Sequence, residues 1–437
     1  MIISGRDPVS LRLAEIGQEF GHGMALKLDR IEAALEALGR PQDRLPPVLH
    51  VAGTNGKGST CAFLRAMTEA AGMRAHVFTS PHLIVPNERV RLAGTLASDE
   101  VFITAIDRVA ALGMTLPYFE VLTAAALLMF SESPADVLIL EVGLGGRFDA
   151  TNVIANPAAT VIAPIALDHT AILGDTLTLI AGEKAGILKR GAPAVVARQP
   201  EEATAVIEAR AADVGAPLFR CGVDWDAWRA NGRLAVQTQD RFLDLPAPNL
   251  AGAHQFDNAA LAAATLLAWD GARFDDDALT RGVTTADWPG RMQRLTQGPL
   301  ADIAHARGAE LWLDGGHNPH GALALAATLR DLHARAPRPL VLITGMLTTK
   351  DVDGFLAPLA PLTQTLIAVP VTSSAASYEA EPLAAIAARN GIASSTAASL
   401  VDAMKNAAAL QGEPPRIVIC GSLYLAGDAL ALSGGVA

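Results

Sequence analysis

Cysteine is nearly missing from this chain: three in 437 residues, Cys61, Cys221 and Cys420. They are odd in number, far apart and include no CxxC pair. That excludes a disulfide framework and a thiolate zinc site, and a reducing cytosol fits best. Aromatics are also scarce, at 5%. Positive charge is in the minority, with 34 Lys and Arg against 45 Asp and Glu and a net charge of −11. No basic run is visible, so no nucleic-acid partner is expected. No uncharged apolar run reaches the length of a membrane span, and the richest, Val121 to Phe130, is too short. Met1 to Ser10 carries Arg6 and Asp7 with no apolar core, so it does not read as a signal peptide. Ser80 precedes Pro81 and lacks the GxSxG turn, and no nucleophilic triad is evident.

What is present is aliphatic: 51% of residues are hydrophobic, rich in Ala and Leu. Small aliphatic strands alternating with Ala-rich helices predict an α/β protein, and the length predicts two or three domains with ample core. The organising stretch is His50-Val51-Ala52-Gly53-Thr54-Asn55-Gly56-Lys57-Gly58-Ser59-Thr60. It reads as strand, glycine loop and helix start. Glycines let several N–H groups point into one concavity, and a helix N-terminus adds donors and partial positive charge, which suits phosphate. Lys57 can neutralise phosphate charge, and Ser59 or Thr60 can offer a hydroxyl to Mg²⁺. The spacing departs from the common phosphate loop, since only Thr54 and Asn55 separate Gly53 from Gly56, and Gly58 stands between Lys57 and Ser59.

Along the chain, Leu11 to Gly39 reads as helical, with Met24, Leu28, Ile31, Leu35 and Leu38 in register. Ser98 reads as a helix cap. Aliphatic strands are predicted at 74–78, 136–142, 159–165 and 194–197. Ser80, Glu141 and His169 each follow such a strand, as the glycine loop does. In an open parallel sheet those loops gather along one edge, where ligands bind. Glu141 sits where a magnesium ligand is usual, since Mg²⁺ prefers oxygen ligands, and the lesser alternative is a solvated strand-end acid. His169 reads as structural on physics alone, because magnesium disfavours nitrogen. Lys184, in Ala181-Gly182-Glu183-Lys184-Ala185-Gly186, reads as an exposed helix lysine on spacing alone, and the sharper reading is a lysine carbamylated by CO₂. Asp314 and His317 follow another strand in a turn-rich stretch. Arg291 can clamp phosphate or stand as a lone arginine, and Asn258 can merely cap a helix. A fresh α/β series begins after Gln297, giving domains at 1–296 and 297–437.

With these residues laid out, the chain resembles the folylpolyglutamate synthase/dihydrofolate synthase family, relatives of the Mur ligases. The resemblance spans nearly the whole chain and rests on ordered motifs. They are the Gly53–Ser59 loop, Thr79-Ser80-Pro81-His82-Leu83, Asn87-Glu88-Arg89, Glu141 to Asn152, Asp168-His169, Glu183 to Gly186, His254-Gln255 with Asn258, Gly290-Arg291, Asp314 to Pro319, and Gly421 to Tyr424.

The resemblance implies an ATP-dependent amide ligase. It would have a P-loop-type ATPase domain built on a mostly parallel sheet and a smaller Rossmann-like C-terminal α/β domain that ligates glutamate. Asn55, Gly56, Lys57, Gly58, Ser59, Asn258, Arg291 and Asp314 would contact ATP. Ser59, Ser80, Glu141 and His169 would hold Mg²⁺, with K⁺ a candidate further ion. Lys57, Lys184 and His317 would be catalytic, Lys184 in carbamylated form. The pterin end of the substrate would lie near Lys27, Leu28, Asp29, Tyr118, Phe119, Glu120, Phe148, Asp149 and Ala150. The expected partners are dihydropteroate or tetrahydrofolate and L-glutamate, acting on a cytoplasmic monomer. Two rivals are a Mur-type ligase acting on a UDP-sugar peptide and a non-catalytic ATP-binding switch. The departures are Ile84-Val85-Pro86, where relatives often carry an aromatic, and Gly345 to Asp351, which lacks an acidic residue often found two before its final Asp.

Overall fold

The computed structural model describes residues 7–17 and 27–434. The chain divides into two units. The larger comprises 7–17, 27–249 and 254–287, and the smaller comprises 250–253 and 288–434.

In the larger unit, eight strands form one sheet: β1 (Val48–Ala52), β2 (Ala75–Phe78), β3 (Val90–Leu92), β4 (Thr95–Leu96), β5 (Val137–Glu141), β6 (Ala159–Ile162), β7 (Ala194–Val196) and β8 (Leu218–Arg220), in the order β4-β3-β2-β5-β1-β6-β7-β8. From β2 to β8 neighbours run parallel, and only β3 and β4 are antiparallel to what precedes them. Every residue of β1, β2, β5 and β6 is buried. Central parallel strands are covered on both faces, which is why these segments are mostly apolar rather than alternating, with His50, His76 and Thr160 buried among the apolar residues. β1 lies between β5 and β6, so the loops leaving β1, β2, β5 and β6 share one edge of the sheet.

The apolar run at 121–130 is a core helix. Tyr118–Glu132 is buried from Glu120 to Phe130 and packs with Phe78, Phe102, Ile106 and Leu138. A helix apolar on every side belongs in a protein interior when it is this short. Among the described residues, no helix is long and apolar enough to cross a membrane. A separate antiparallel meander, β9 (Asp226–Ala230), β10 (Arg233–Gln237) and β11 (Phe242–Leu245), supplies the short strands expected at 217–250.

The smaller unit holds β12 (Gln293–Arg294), β13 (Glu310–Leu313), β14 (Leu340–Thr344), β15 (Thr365–Ala368), β16 (Ser394–Thr396) and β17 (Arg416–Cys420), in the order β12-β13-β17-β14-β15-β16. All pairs are parallel except β12 with β13.

Two expectations need correction. Residues 11–39 are not one helix: the helices are Pro8–Gly17 and Asp29–Ala37, and Met24 falls outside the described residues. The break between units lies upstream of the expected 296/297. Gln293–Arg294 pairs with β13 and belongs to the smaller sheet. A two-residue strand has no periodicity to read.

Candidate active site

The β1 exit loop is held by its neighbours. Thr54 and Asn55 donate their N–H groups to Pro164 O at 2.9 and 3.3 Å, and Thr54 Oγ1 donates to Ala166 O at 3.0 Å. The loop leaving β6 is thereby strapped to the loop leaving β1. Gly56 has φ +87°, and a Cβ there would lie 2.5 Å from Asn258 Oδ1, so only glycine fits. The helix Lys57–Ala70 starts on that glycine with no side-chain cap, which leaves its first-turn N–H groups to a ligand. Lys57 Nζ lies 3.2 Å from Gly53 O and 3.4 Å from Thr54 O. Asn258 Nδ2 donates to Gln255 Oε1 at 3.0 Å, which turns Asn258 Oδ1 toward Gly56. Gln255 is wholly buried and orients Asn258, a role its i, i+3 spacing in the helix Ala253–Asp270 could have signalled.

The loops after β2 and β5 meet. Glu141 is buried, and its Oε2 accepts Ser80 N–H at 3.1 Å. Ser80 Oγ is buried without a hydrogen-bond partner. Ser59 is buried in the first turn of the helix that follows the glycine loop. An orphaned hydroxyl beside a buried carboxylate is a fitting donor set for a hard cation. His169 has φ +51° and a side chain 46% exposed, with Nε2 3.9 Å from Asp168 Oδ1. Among the described residues no three His, Cys, Asp or Glu side chains converge as a metal cluster. An Mg²⁺ site here therefore depends on the hydroxyls.

Lys184 corrects the reading from spacing: it is only 4% exposed. Its Nζ donates to Gly53 O at 2.8 Å, the carbonyl that Lys57 also approaches. Burial first, and then the charge of Lys57, lower the Lys184 ammonium to about 7. Asp168, Asp149 and Glu183 act on it in the opposite direction. Close packing fixes this region, since a Cβ on Gly146 would lie 2.7 Å from Glu183 O and 3.0 Å from Lys184 Cα.

The residues expected around the pterin come together in part. Phe119 packs on Gly143, where a Cβ would meet its ring at 2.4 Å. Arg30, next to Asp29, donates to Glu120 Oε1 at 2.9 Å and ties the Lys27–Asp29 segment to Tyr118–Glu120. Burial raises the Glu120 carboxyl, and the bond to Arg30 partly offsets this. Phe148 is half-exposed beneath the Arg147 guanidinium at 4.8 Å, and Ala150 is buried. Asp149 turns inward: its carboxylate accepts from Leu144 N, Thr151 N and Thr151 Oγ1.

In the smaller unit, Asp314 Oδ1 accepts Gly316 N–H at 2.7 Å and Oδ2 accepts Met292 N–H at 2.9 Å. Gly315 N donates to Gly290 O at 2.7 Å, and His317 Nδ1 lies 3.1 Å from Gly315 O. A Cβ on Gly315 would lie 2.8 Å from Arg291 Nη1. Asp314 and His317 thus belong to the turn at the C-terminal end of β13, and Arg291, just before β12, packs against it.

A glycine loop and lysine at a helix N-terminus, with a carboxylate and hydroxyls at the ends of parallel strands, define a nucleotide-dependent α/β enzyme of phosphoryl-transfer chemistry. A family model described as "Dihydrofolate synthetase, C-terminal domain" matches residues 301–432, and a Mycobacterium tuberculosis dihydrofolate synthase/folylpolyglutamate synthase is 36% identical over 453 residues, covering 93% of this chain and 90% of that protein. The chain belongs to the dihydrofolate synthase/folylpolyglutamate synthase family of ATP-dependent ligases. The structure of E. coli FolC in complex with DHPP and ADP superposes with a TM-score of 0.87 at 31% identity, covering 98% of this chain and 97% of that one. The Yersinia pestis bifunctional enzyme complexed with AMPPNP and Mn ion gives 0.85 at 33% identity, covering 97% and 98%.

Proposed function

We propose that this chain joins L-glutamate to both dihydropteroate and reduced folates, using the residues gathered at the exits of β1, β2 and β5. The observation that carries the reading is the convergence of Lys57 and Lys184 on Gly53 O, with the Ser80–Glu141 pair on the same sheet edge. Relatives of 31–33% identity hold ADP and DHPP, or AMPPNP and Mn, which fits ATP and a divalent metal as ligands.

A substrate carboxylate takes the γ-phosphoryl group of ATP and becomes an acyl phosphate. The amine of L-glutamate then attacks the carbonyl, the amide forms and phosphate leaves. Lys57 and the first-turn N–H groups of Lys57–Ala70, with Gly56, Gly58 and Ser59, hold the phosphates and offset charge in the transition state. Asn55 and Asn258 line the same loop. Arg291 and Asp314, with His317 nearby, are proposed for ATP contacts in the smaller unit. Ser59, Ser80, Glu141 and His169 would hold Mg²⁺, which would neutralise charge on the phosphate oxygens. An amine lowered to about 7 is largely neutral at mildly alkaline pH. The neutral Lys184 amine can then add to CO₂, forming an N–C bond and releasing one proton, so that a buried neutral amine becomes an anion. The described cysteines are all free thiols, which fits the proposed reducing, cytoplasmic compartment; a monomer is proposed from the family resemblance alone.

The test is one assay matrix with MgATP and glutamate. Phosphate release is expected with dihydropteroate and with tetrahydrofolate. Release only with a UDP-muramoyl substrate overturns the folate reading. ATP binding with no release on any substrate overturns ligation in favour of a switch. Carbamylation is read by ¹³C NMR in ¹³C-bicarbonate, as a signal present in the wild type and lost in Lys184→Met.

A further inference from the structure

We propose that His50 and Thr151 are positioning residues that fix the Phe148–Ala150 segment relative to the phosphate loop. The inference rests on the reading of 148–150 as substrate contacts. His50 lies in the middle of β1, three residues before Gly53, and is wholly buried. Its Nε2 lies 2.9 Å from Thr151 Oγ1, although 101 residues separate them. Thr151 Oγ1 lies 2.6 Å from Asp149 Oδ1.

Proton counting gives this chain a direction. Asp149 accepts from Leu144 N at 2.9 Å, Thr151 N at 3.0 Å and Thr151 Oγ1, and the Gly143 N–H also stabilises its charged form. Burial outweighs these donors and raises the Asp149 pKa, but the backbone N–H groups of Leu144 and Thr151 both point at its oxygens, so the carboxyl oxygens here are acceptors. The single hydroxyl proton of Thr151 is given to Asp149, so Thr151 Oγ1 must accept from His50. His50 therefore carries its proton on Nε2. Its Nδ1 is buried without a partner, as an unprotonated ring nitrogen can be. Burial, with a smaller contribution from Lys189, lowers the ring to about 3, so it stays neutral at working pH.

The consequence is mechanical. β1 ends in the phosphate loop, and the loop 143–152 carries Phe148 and Ala150. His50 Nε2–H to Thr151 O–H to Asp149 is a side-chain strut between them. Asn152 Nδ2 braces the other side of the loop, donating to Arg147 O at 2.9 Å and Gly186 O at 3.3 Å. A carboxylate that must meet a phosphoryl group tolerates little misplacement, since a shift of about 1 Å costs on the order of 100-fold in rate.

The test uses four variants of the full chain. Thr151→Val removes the hydroxyl at constant shape, and His50→Leu removes the donor. Thr151→Ser and His50→Gln keep the hydroxyl and the donor. Thr151→Val and His50→Leu are expected to raise KM for dihydropteroate roughly 10-fold and to lower kcat, with AMPPNP affinity within about twofold of wild type. Thr151→Ser and His50→Gln are expected to restore most of the loss. A dihydropteroate KM unchanged in folded Thr151→Val overturns the proposal. Equal loosening of nucleotide and dihydropteroate also overturns it, as does a Gln variant no better than the Leu variant. Phe148→Ala separates this from the underlying reading. If its KM is unchanged while Thr151→Val is impaired, the strut stands and Phe148 leaves the site. If neither changes, both fall.

Discussion

Lys57 folds its ammonium back over the carbonyls of its own loop, 3.2 Å from Gly53 O and 3.4 Å from Thr54 O. Carbonyls are weak partners for a cation, so phosphate oxygens can displace them at small cost. Lys57→Ala is expected to lower kcat by about 10²–10³, the loss typical when a group stabilising transition-state charge is removed. The same change withdraws a positive charge that lowers Lys184, so the Lys184 pKa should rise toward its ordinary value. Undiminished turnover in Lys57→Ala would remove it from the phosphate site. Gly56 makes a second prediction. At φ +87°, with Asn258 Oδ1 2.5 Å from a built Cβ, Gly56→Ala must strain the backbone and displace Asn258 together. Backbone strain of this kind costs about 1–3 kcal/mol. AMPPNP affinity measured by calorimetry should fall along with Tm.

At the scale of elements, Asn87-Glu88-Arg89 acts as a staple for the loop leaving β2. Glu88 accepts the N–H groups of Leu83, Ile84 and Val85 at 2.6, 2.8 and 2.8 Å. Asn87 Nδ2 donates to Ala97 O and Asp99 Oδ1, both at 2.9 Å, and Arg89 Nε donates to His82 Nδ1 at 2.9 Å. His82 can accept because burial, and then the charge of Arg89, lower it to about 3 and keep it neutral. Glu88→Gln puts an NH₂ group against N–H groups already pointing at it. An unsatisfied donor costs about 1–3 kcal/mol, so a Tm lower by several degrees and reduced turnover are expected. An unchanged Tm would show that the loop is held by other contacts. What was legible in the sequence was local. Glycine spacing with a following lysine marked the phosphate loop, aliphatic runs marked the parallel strands, and Ser98 marked a cap whose Oγ accepts Val101 N–H. Partners far apart in sequence were not legible. Nothing near Glu120 points to Arg30, and nothing in β1 shows that His50 reaches Thr151. The burial of Lys184 was hidden because the helix Leu177–Ala185 is largely apolar, so no one polar face identifies the side that meets solvent.

A single buried amine also tilts the pH–stability profile of the whole molecule. Lys184 loses its proton at about 7 in the folded chain, against 10.5 for an ordinary lysine. Below pH 7 both folded and unfolded chains hold the proton, and the folded chain bears the full cost of a buried ammonium. Between 7 and 10.5 the unfolded chain still binds the proton while the folded chain has released it, so this group adds stability as pH rises. Above 10.5 nothing further is gained. In CO₂-free buffer, Lys184→Met should therefore be more stable than wild type at pH 6, by a few kcal/mol at the order-of-magnitude level, and the gap should narrow toward pH 10. Chemical denaturation across that range reads the gap directly, and a gap independent of pH would mean that Lys184 keeps an ordinary pKa. Bicarbonate separates the amine from its CO₂ adduct. Carbamylation draws on the neutral amine of the folded chain, so bicarbonate at pH 8 should raise the Tm of the wild type and leave Lys184→Met unmoved.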